Sequence, residues 1–139
     1  MFKGIFNFNT QSQYGADLIR IISGLIIITF GMEIVDAEKL NGYTEWATDV
    51  GIPFPYFMVY IGKLAEIVGG VCLILGLFTR LACIPLMMTM FVITFILLDG
   101  NPKTGSFYLL LIFAIYFFIG SGKLSIDHLL LKRRSKLSA

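Results

Sequence analysis

The chain has 139 residues, of which 57% are hydrophobic and 14% are charged, with a formal net charge of +2. That length sets one domain. An apolar share this large in so short a chain excludes an ordinary soluble core and points to a membrane bundle. Short alternating strands are absent, which excludes a β-barrel, and backbone groups in lipid must bond internally, so the spans are expected to be helices.

In chain order, the start "MFKGIFNFN" has one Lys and scattered aromatics but neither an uninterrupted apolar core nor an A-x-A site, so no cleavable signal is expected. It reads as an interfacial foot, with Phe2, Ile5, Phe6 and Phe8 in the headgroup region. The first expected span is 17–35. The loop that follows, "DAEKLNGYTEWATDVG", sets Asp36, Glu38, Glu45 and Asp49 against Lys39. Within it Tyr43, Trp46, Ala47 and Val50 recur at helical spacing, predicting a short amphipathic helix at the membrane surface. Trp46 and Tyr43 serve there as a belt anchor, with a lid over an outward pocket as the functional alternative. Gly51 can end that helix, and Pro53 and Pro55 force extended re-entry into the second span, 56–78.

The turn "LFTR" is tight, making the second and third spans antiparallel neighbours. The third span is 80–98, with Pro85 one turn in. "DGNPKTG" is a turn cluster, and the fourth span, 106–120, is short; Leu124 to Leu131 is a possible extension after a break. The tail 121–139 ends in Lys132, Arg133, Arg134 and Lys136. Positive residues favour the cytoplasm, so the acidic loop is expected outside and both termini inside. The basic tail reads as an orientation signal attracted to anionic lipid; no folded basic surface accompanies it, so nucleic acid is not an expected partner. The expected fold is an all-α membrane protein: a four-transmembrane-helix antiparallel bundle with a short amphipathic interfacial helix in the first outer loop.

The second span carries Lys63 and Glu66 where water is scarce. Gly62, Glu66, Gly69, Leu73 and Gly76 share one stripe at 4-3-4-3 spacing, flanked by Gly70. Arg20, Gly24, Ile27 and Gly31 make a matching stripe on the first span. Small residues let helices approach closely in lipid, so Gly24, Gly31, Gly62, Gly69, Gly70 and Gly76 are expected packing positions. The opposite charges are expected to pair across the interface, Arg20 with Glu66, and Lys63 with Glu66 or Glu33. An unpaired charge at mid-membrane costs about 3 kcal/mol or more. Arg20, Lys63, Glu66 and Glu33 are therefore the candidate lining of a polar cavity; the bland reading is that they only fix helix register.

Other groups carry less. Cys72 and Cys83 form no C-x-x-C and read as small core residues. His128 is the single histidine, so no metal site and no two-His haem site is expected within one chain. Met87, Met88 and Met90 read as packing. No nucleophile with a base is evident, and catalytic residues stay unassigned.

"RIISGLIIITFG", "GIPFPYFMVYIGKLAEIVGGVCLILGLFTRLA" and "GSGKLSID" together resemble the DoxX family of small bacterial membrane proteins, over roughly Asp17 to Leu130. The most specific part is the pattern at Glu66, Gly69, Gly70, Gly76, Thr79 and Arg80, joined by Arg20 and Gly24. The resemblance implies one four-helix domain over 1–139 in the bacterial inner membrane. Relatives of this kind are linked to thiosulfate–quinone oxidoreduction and to complexes handling oxidative stress. Many members carry a His before the glycine at Gly31 and a Lys three residues after it; here these are Phe30 and Ile34. A proton-coupled carrier is a further reading, since Glu66 sits where it could titrate in a low-dielectric site, but four spans without a repeat give little machinery for alternating access unless the protein dimerises. Two functions stand ahead of it as expectations. One is a small subunit of a membrane redox system, binding a non-covalent quinone or other lipophilic molecule at Arg20 and Glu66, with a redox-protein partner. The other is a non-enzymatic scaffold or lipid-binding protein, alone as a homo-oligomer or stabilising a partner complex.

Overall fold

The computed structural model describes residues 10–97, 100, 102–122 and 124–137; the expected interfacial foot at Phe2 to Phe8 lies outside them. Among the described residues six α-helices follow one another: α1 (Thr10–Gly31), α2 (Ala37–Asp49), α3 (Pro55–Leu75), α4 (Thr79–Val92), α5 (Gly105–Ile119) and α6 (Ile126–Leu137). A 3₁₀ turn, Met32–Val35, extends α1, and a π-helical turn, Ile93–Leu97, extends α4. Among the described residues there is no strand. The fold is the expected all-α membrane bundle. Tyr14–Val35, Pro55–Leu75 and Thr79–Ile96 are long and apolar enough to cross a bilayer, and Gly105–Ile119 is a shorter apolar helix.

The helices pack in sequence, α1 on α3, α3 on α4 and α4 on α5, with α2 lying on α3. α1 and α5 touch only lightly. Ile27, Leu73, Cys83, Leu86, Met90, Leu109, Phe113 and Tyr116 form the buried core. The outward faces are apolar instead, with Leu18, Ile22, Leu25, Val68, Leu81 and Phe118 exposed, as expected where the solvent is lipid.

Several boundaries come from identifiable local chemistry. The Asp36 carboxylate caps α2, accepting from the Glu38 and Lys39 backbone N–H groups at 3.2 and 3.3 Å, and this sets the direction of α2. Pro55 stands at the start of α3, where its missing N–H costs nothing. Gly76 ends α3 in the left-handed conformation, φ 66°. Its N–H donates to Leu73 and the Leu77 N–H donates to Cys72, at 3.2 and 2.9 Å, a closure that favours glycine.

The fourth apolar helix departs from the expected span. α5 has 15 residues, about 22 Å of helix, and stops at Gly120. α6 does not continue it. Residues 120–122, 124 and 125 are non-helical, and Leu124 and Ser125 fold back against α1 and α3. Such backbone is tolerated at membrane depth only where protein satisfies it.

Glycine packing also differs from the single expected stripe. A Cβ at Gly24 would lie 2.9 Å from the Gly70 carbonyl oxygen, and one at Gly70 would lie 2.9 Å from the Gly24 carbonyl oxygen. These two let α1 and α3 touch backbone to backbone. Gly69 and Gly62 face the other way, toward Leu86 and Thr89 of α4. The α3 glycines thus serve two neighbours. Adjacent helix positions point about 100° apart, so Gly69 and Gly70 cannot share a partner.

Candidate functional site

Buried charges occupy two separate places, one at each end of the α1–α3 interface. Gly31 packs against Glu66 and Ile67, Gly24 against Gly70 and Ile74, and the Arg20 guanidinium lies against Gly76. The stretch from Glu66 to Gly76 is about 15 Å of helix. Among the described residues, no ion pair joins Arg20 to Glu66. The expected cross-helix pair therefore does not form, because antiparallel packing sets Arg20 near the end of α3 rather than near its middle.

At the first place, Arg20 is 0% and Asp17 1% exposed. They sit one turn apart on α1, where i and i+3 share a face, and the Arg20 Nη1 lies 3.1 Å from the Asp17 Oδ1. That contact is an ion pair without hydrogen-bond alignment, and the Arg20 Nε also has no acceptor. Arg20 Nη2 donates to the Leu124 carbonyl at 3.0 Å, and Asp17 accepts from the Leu124 N–H at 3.1 Å. The pair so holds both backbone groups of one residue in the non-helical segment. Ser125 adds to this, donating to the Gly122 carbonyl and accepting from the His128 N–H at 2.7 and 3.1 Å. Tyr116 donates its hydroxyl to the Ala16 carbonyl, joining α5 to α1 at the same end. Asp17 was expected only as the start of a span. The signal for its role is its i, i+3 spacing to Arg20.

The second place is the α2 end. Lys63 Nζ donates to the Phe30 carbonyl at 3.0 Å and to Glu33 at 3.1 Å, and lies 3.4 Å from the Glu66 Oε2. Glu33 also accepts from Lys39 at 3.0 Å and from the Tyr43 hydroxyl at 2.8 Å. The Lys63 ammonium stands 4.4 Å from the Tyr43 ring centroid, within cation–π range. Glu66 Oε2 is buried and has no hydrogen-bond partner. The expected Lys63–Glu66 and Lys63–Glu33 contacts are both present. Tyr43 and Lys39 complete the network. Tyr43 is pushed up to about 12, by burial first and then by its bond to Glu33. Lys39 is shifted upward by its bond to Glu33.

Beside this network, α2, α3 and α4 enclose a groove of about 480 Å³, lined by Tyr43, Trp46, Ile52, Gly62, Ala65, Met88 and others. Its wall is almost wholly apolar. Volume and lining match a small-molecule site. Tyr43 belongs to both features: it lines the groove, and behind it stand Glu33 and Lys63. Met88 and Pro85 form the α4 wall, while Met90 packs in the core. Cys72 and Cys83 are both free thiols.

The profile of the DoxX family matches residues 15–99. The chain belongs to the DoxX family. Glu66, Gly69, Gly70 and Gly76, which carried the resemblance, are the residues that pack α3 against its neighbours. A relative from Bacillus subtilis (strain 168), described as "Putative oxidoreductase CatD", is 29% identical over 128 residues, covering 89% of this chain and 92% of its own. No solved structure matches.

Proposed function

We propose that this DoxX-family protein is a single-domain membrane subunit of a redox system that holds a quinone or similar lipophilic molecule in the groove between α2, α3 and α4. The observation that carries this reading is Tyr43. It closes an apolar groove on one side and is bonded to a buried charge network on the other. A quinone has the same division, an apolar body with two polar oxygens. Trp46, Ile52, Ala65 and Met88 would hold the body, and Tyr43 with Glu33 and Lys63 behind it would meet the polar end. When bound, the quinone supplies two-electron, two-proton chemistry; a redox-protein partner supplies or takes the electrons. The oxidoreductase name of the relative supports this assignment.

In this reading Lys63, Glu66 and Glu33 serve the ligand, while Arg20 serves the fold. The setting is a bacterial inner membrane, with the acidic α2 loop outside and both termini cytoplasmic, as the distribution of Lys and Arg favours. The scaffold reading has its own support in the Asp17–Arg20 place, where the polar contacts go to the chain's own backbone.

Trp46 is the single tryptophan, so its fluorescence reports the groove. A short-tailed benzoquinone added to the purified protein is expected to quench it saturably. Ala65→Phe, which fills the groove, is expected to remove the saturable part. Linear quenching in both proteins, with only phospholipid in an extract of the purified sample, overturns the reading in favour of a scaffold.

A further inference from the structure

We propose that Glu66 is a proton-binding site inside the bundle, loaded from the water at the α2 end through Glu33 and Lys63. This holds with or without a quinone in the groove.

The first observation is a gradient. Side-chain exposure falls from 53% at Lys39 to 18% at Glu33, 7% at Lys63 and 3% at Glu66. Successive links along that line are 3.0, 3.1 and 3.4 Å. Titratable groups thus run without a gap from water to the bundle interior. A purely structural pair does not require such a line; among the described residues the Asp17–Arg20 pair has none.

The second observation is how Lys63 is shared. It serves two carboxylates, and its shorter contacts go to the Phe30 carbonyl and Glu33 rather than Glu66. Glu66 is thus the less well compensated of the two, with a buried Oε2 that accepts nothing. A buried carboxylate is costly unless paired and bonded, whereas the neutral acid costs far less. The charged groups that face Glu66 are Lys63 on its own helix and Glu33 beyond α1, with Tyr43 of α2 behind them. From α4, Arg80 and Cys83 lie toward the other end of the bundle, as does Tyr116 of α5, and Tyr108 of α5 is exposed.

The step balances without a redox change. The Lys63 ammonium gives a proton to the Glu66 carboxylate, breaking an N–H and forming an O–H. The Lys63 amine is recharged through Glu33, which draws on hydronium at its exposed edge beside Lys39. The net result is one hydronium converted to water and one carboxylate to carboxylic acid.

Infrared difference spectra of the protein in liposomes test this. Lowering the pH is expected to raise a carboxylic-acid carbonyl band that is lost in Glu66→Gln. On transfer to D₂O, that band is expected to exchange at least about tenfold more slowly in Glu33→Gln, which lacks one relay step. If Glu66→Gln does not fold, Glu66→Asp keeps the acid and is expected to shift the band. Three results overturn the proposal: no band that follows Glu66, an exchange rate untouched by Glu33→Gln, or a band removed by sodium chloride at fixed pH, which would make the ligand a metal cation.

Discussion

Two clusters of charge are buried in one small bundle, and they are built on opposite plans. Asp17 and Arg20 are sealed, and their well-formed bonds go to the backbone of a single residue, Leu124. Glu33, Lys63 and Glu66 are bonded mainly to other side chains, and the series opens step by step to water. The first plan suits architecture. A chain that turns back against its own helices leaves N–H and C=O groups with no helix partners, and the fixed charges satisfy those of Leu124. The second plan suits chemistry, because groups that exchange protons need access to the place where protons come from. Intramembrane charge is commonly a sign of function; here its partners separate the two uses.

The largest test of that contrast removes one member of the sealed pair. Arg20→Met leaves the Asp17 carboxylate buried without its cation, and a broken buried pair costs about 3–5 kcal/mol. Thermal unfolding in detergent is expected to show that loss, and Asp17→Asn combined with Arg20→Met to regain much of it. The coupling between Arg20→Met and Glu66→Gln is expected to be near zero, since the two side chains belong to different places. Strong coupling there would merge the two clusters and remove the comparison.

Much of this was legible in the sequence, for definite reasons. Long apolar runs mark helices whatever their partners are, so the all-helical bundle followed from hydropathy. The buried position of Arg20, Lys63 and Glu66 followed from their place within those runs, and Lys63 lay one turn from Glu66. The i, i+3 spacing of Asp17 and Arg20 was there to be read, but the bond from Arg20 to Leu124 was not legible, because that acceptor is a backbone carbonyl a hundred residues away, in a turn that no periodicity announces. The stopping of α5 at Gly120 was hidden in the same way, since the apolar residues near Leu124 to Leu131 read as a continuation. The groove is another case. Its walls come from three helices; Tyr43 and Trp46 were readable as an interfacial anchor or a lid over a pocket, but nothing in the spacing announced the bond from Tyr43 to Glu33.

The glycines sharpen the contrast at an intermediate scale. The Asp17–Arg20 place depends on α1 and α3 touching, whereas the groove lies on the α4 side of α3. Gly70→Ala puts a methyl against Gly24 backbone and the side chains of Ile27 and Ile28, and forced overpacking costs about 1–3 kcal/mol. Gly62→Ala meets only the Thr89 methyl, at 3.6 Å, an ordinary contact. Unfolding is expected to rank Gly70→Ala well below wild type and Gly62→Ala close to it. Equal losses would show that α3 does not distinguish its two neighbours.

The smallest effect concerns the open end alone and is read against pH. Tyr43 holds its proton in the folded protein up to about 12, against 10.0 for an unperturbed tyrosine. Below pH 10 the folded and unfolded chains both keep that proton, and the contribution of Tyr43 is fully present. Between pH 10 and about 12 the unfolded chain releases it while the folded chain still holds it, so stability falls as the pH rises. Lys39 acts with the same sign. Its folded value is raised by Glu33, so its contribution is complete below the unfolded value of 10.5 and is lost as pH rises through the folded value. Wild type is therefore expected to lose stability across this alkaline window. Tyr43→Phe is expected to lose less of it, and Tyr43→Phe with Lys39→Met least. A slope unchanged by both substitutions would mean that the open cluster is not in exchange with water at its outer edge, and the gradient from Lys39 to Glu66 would lose its first step.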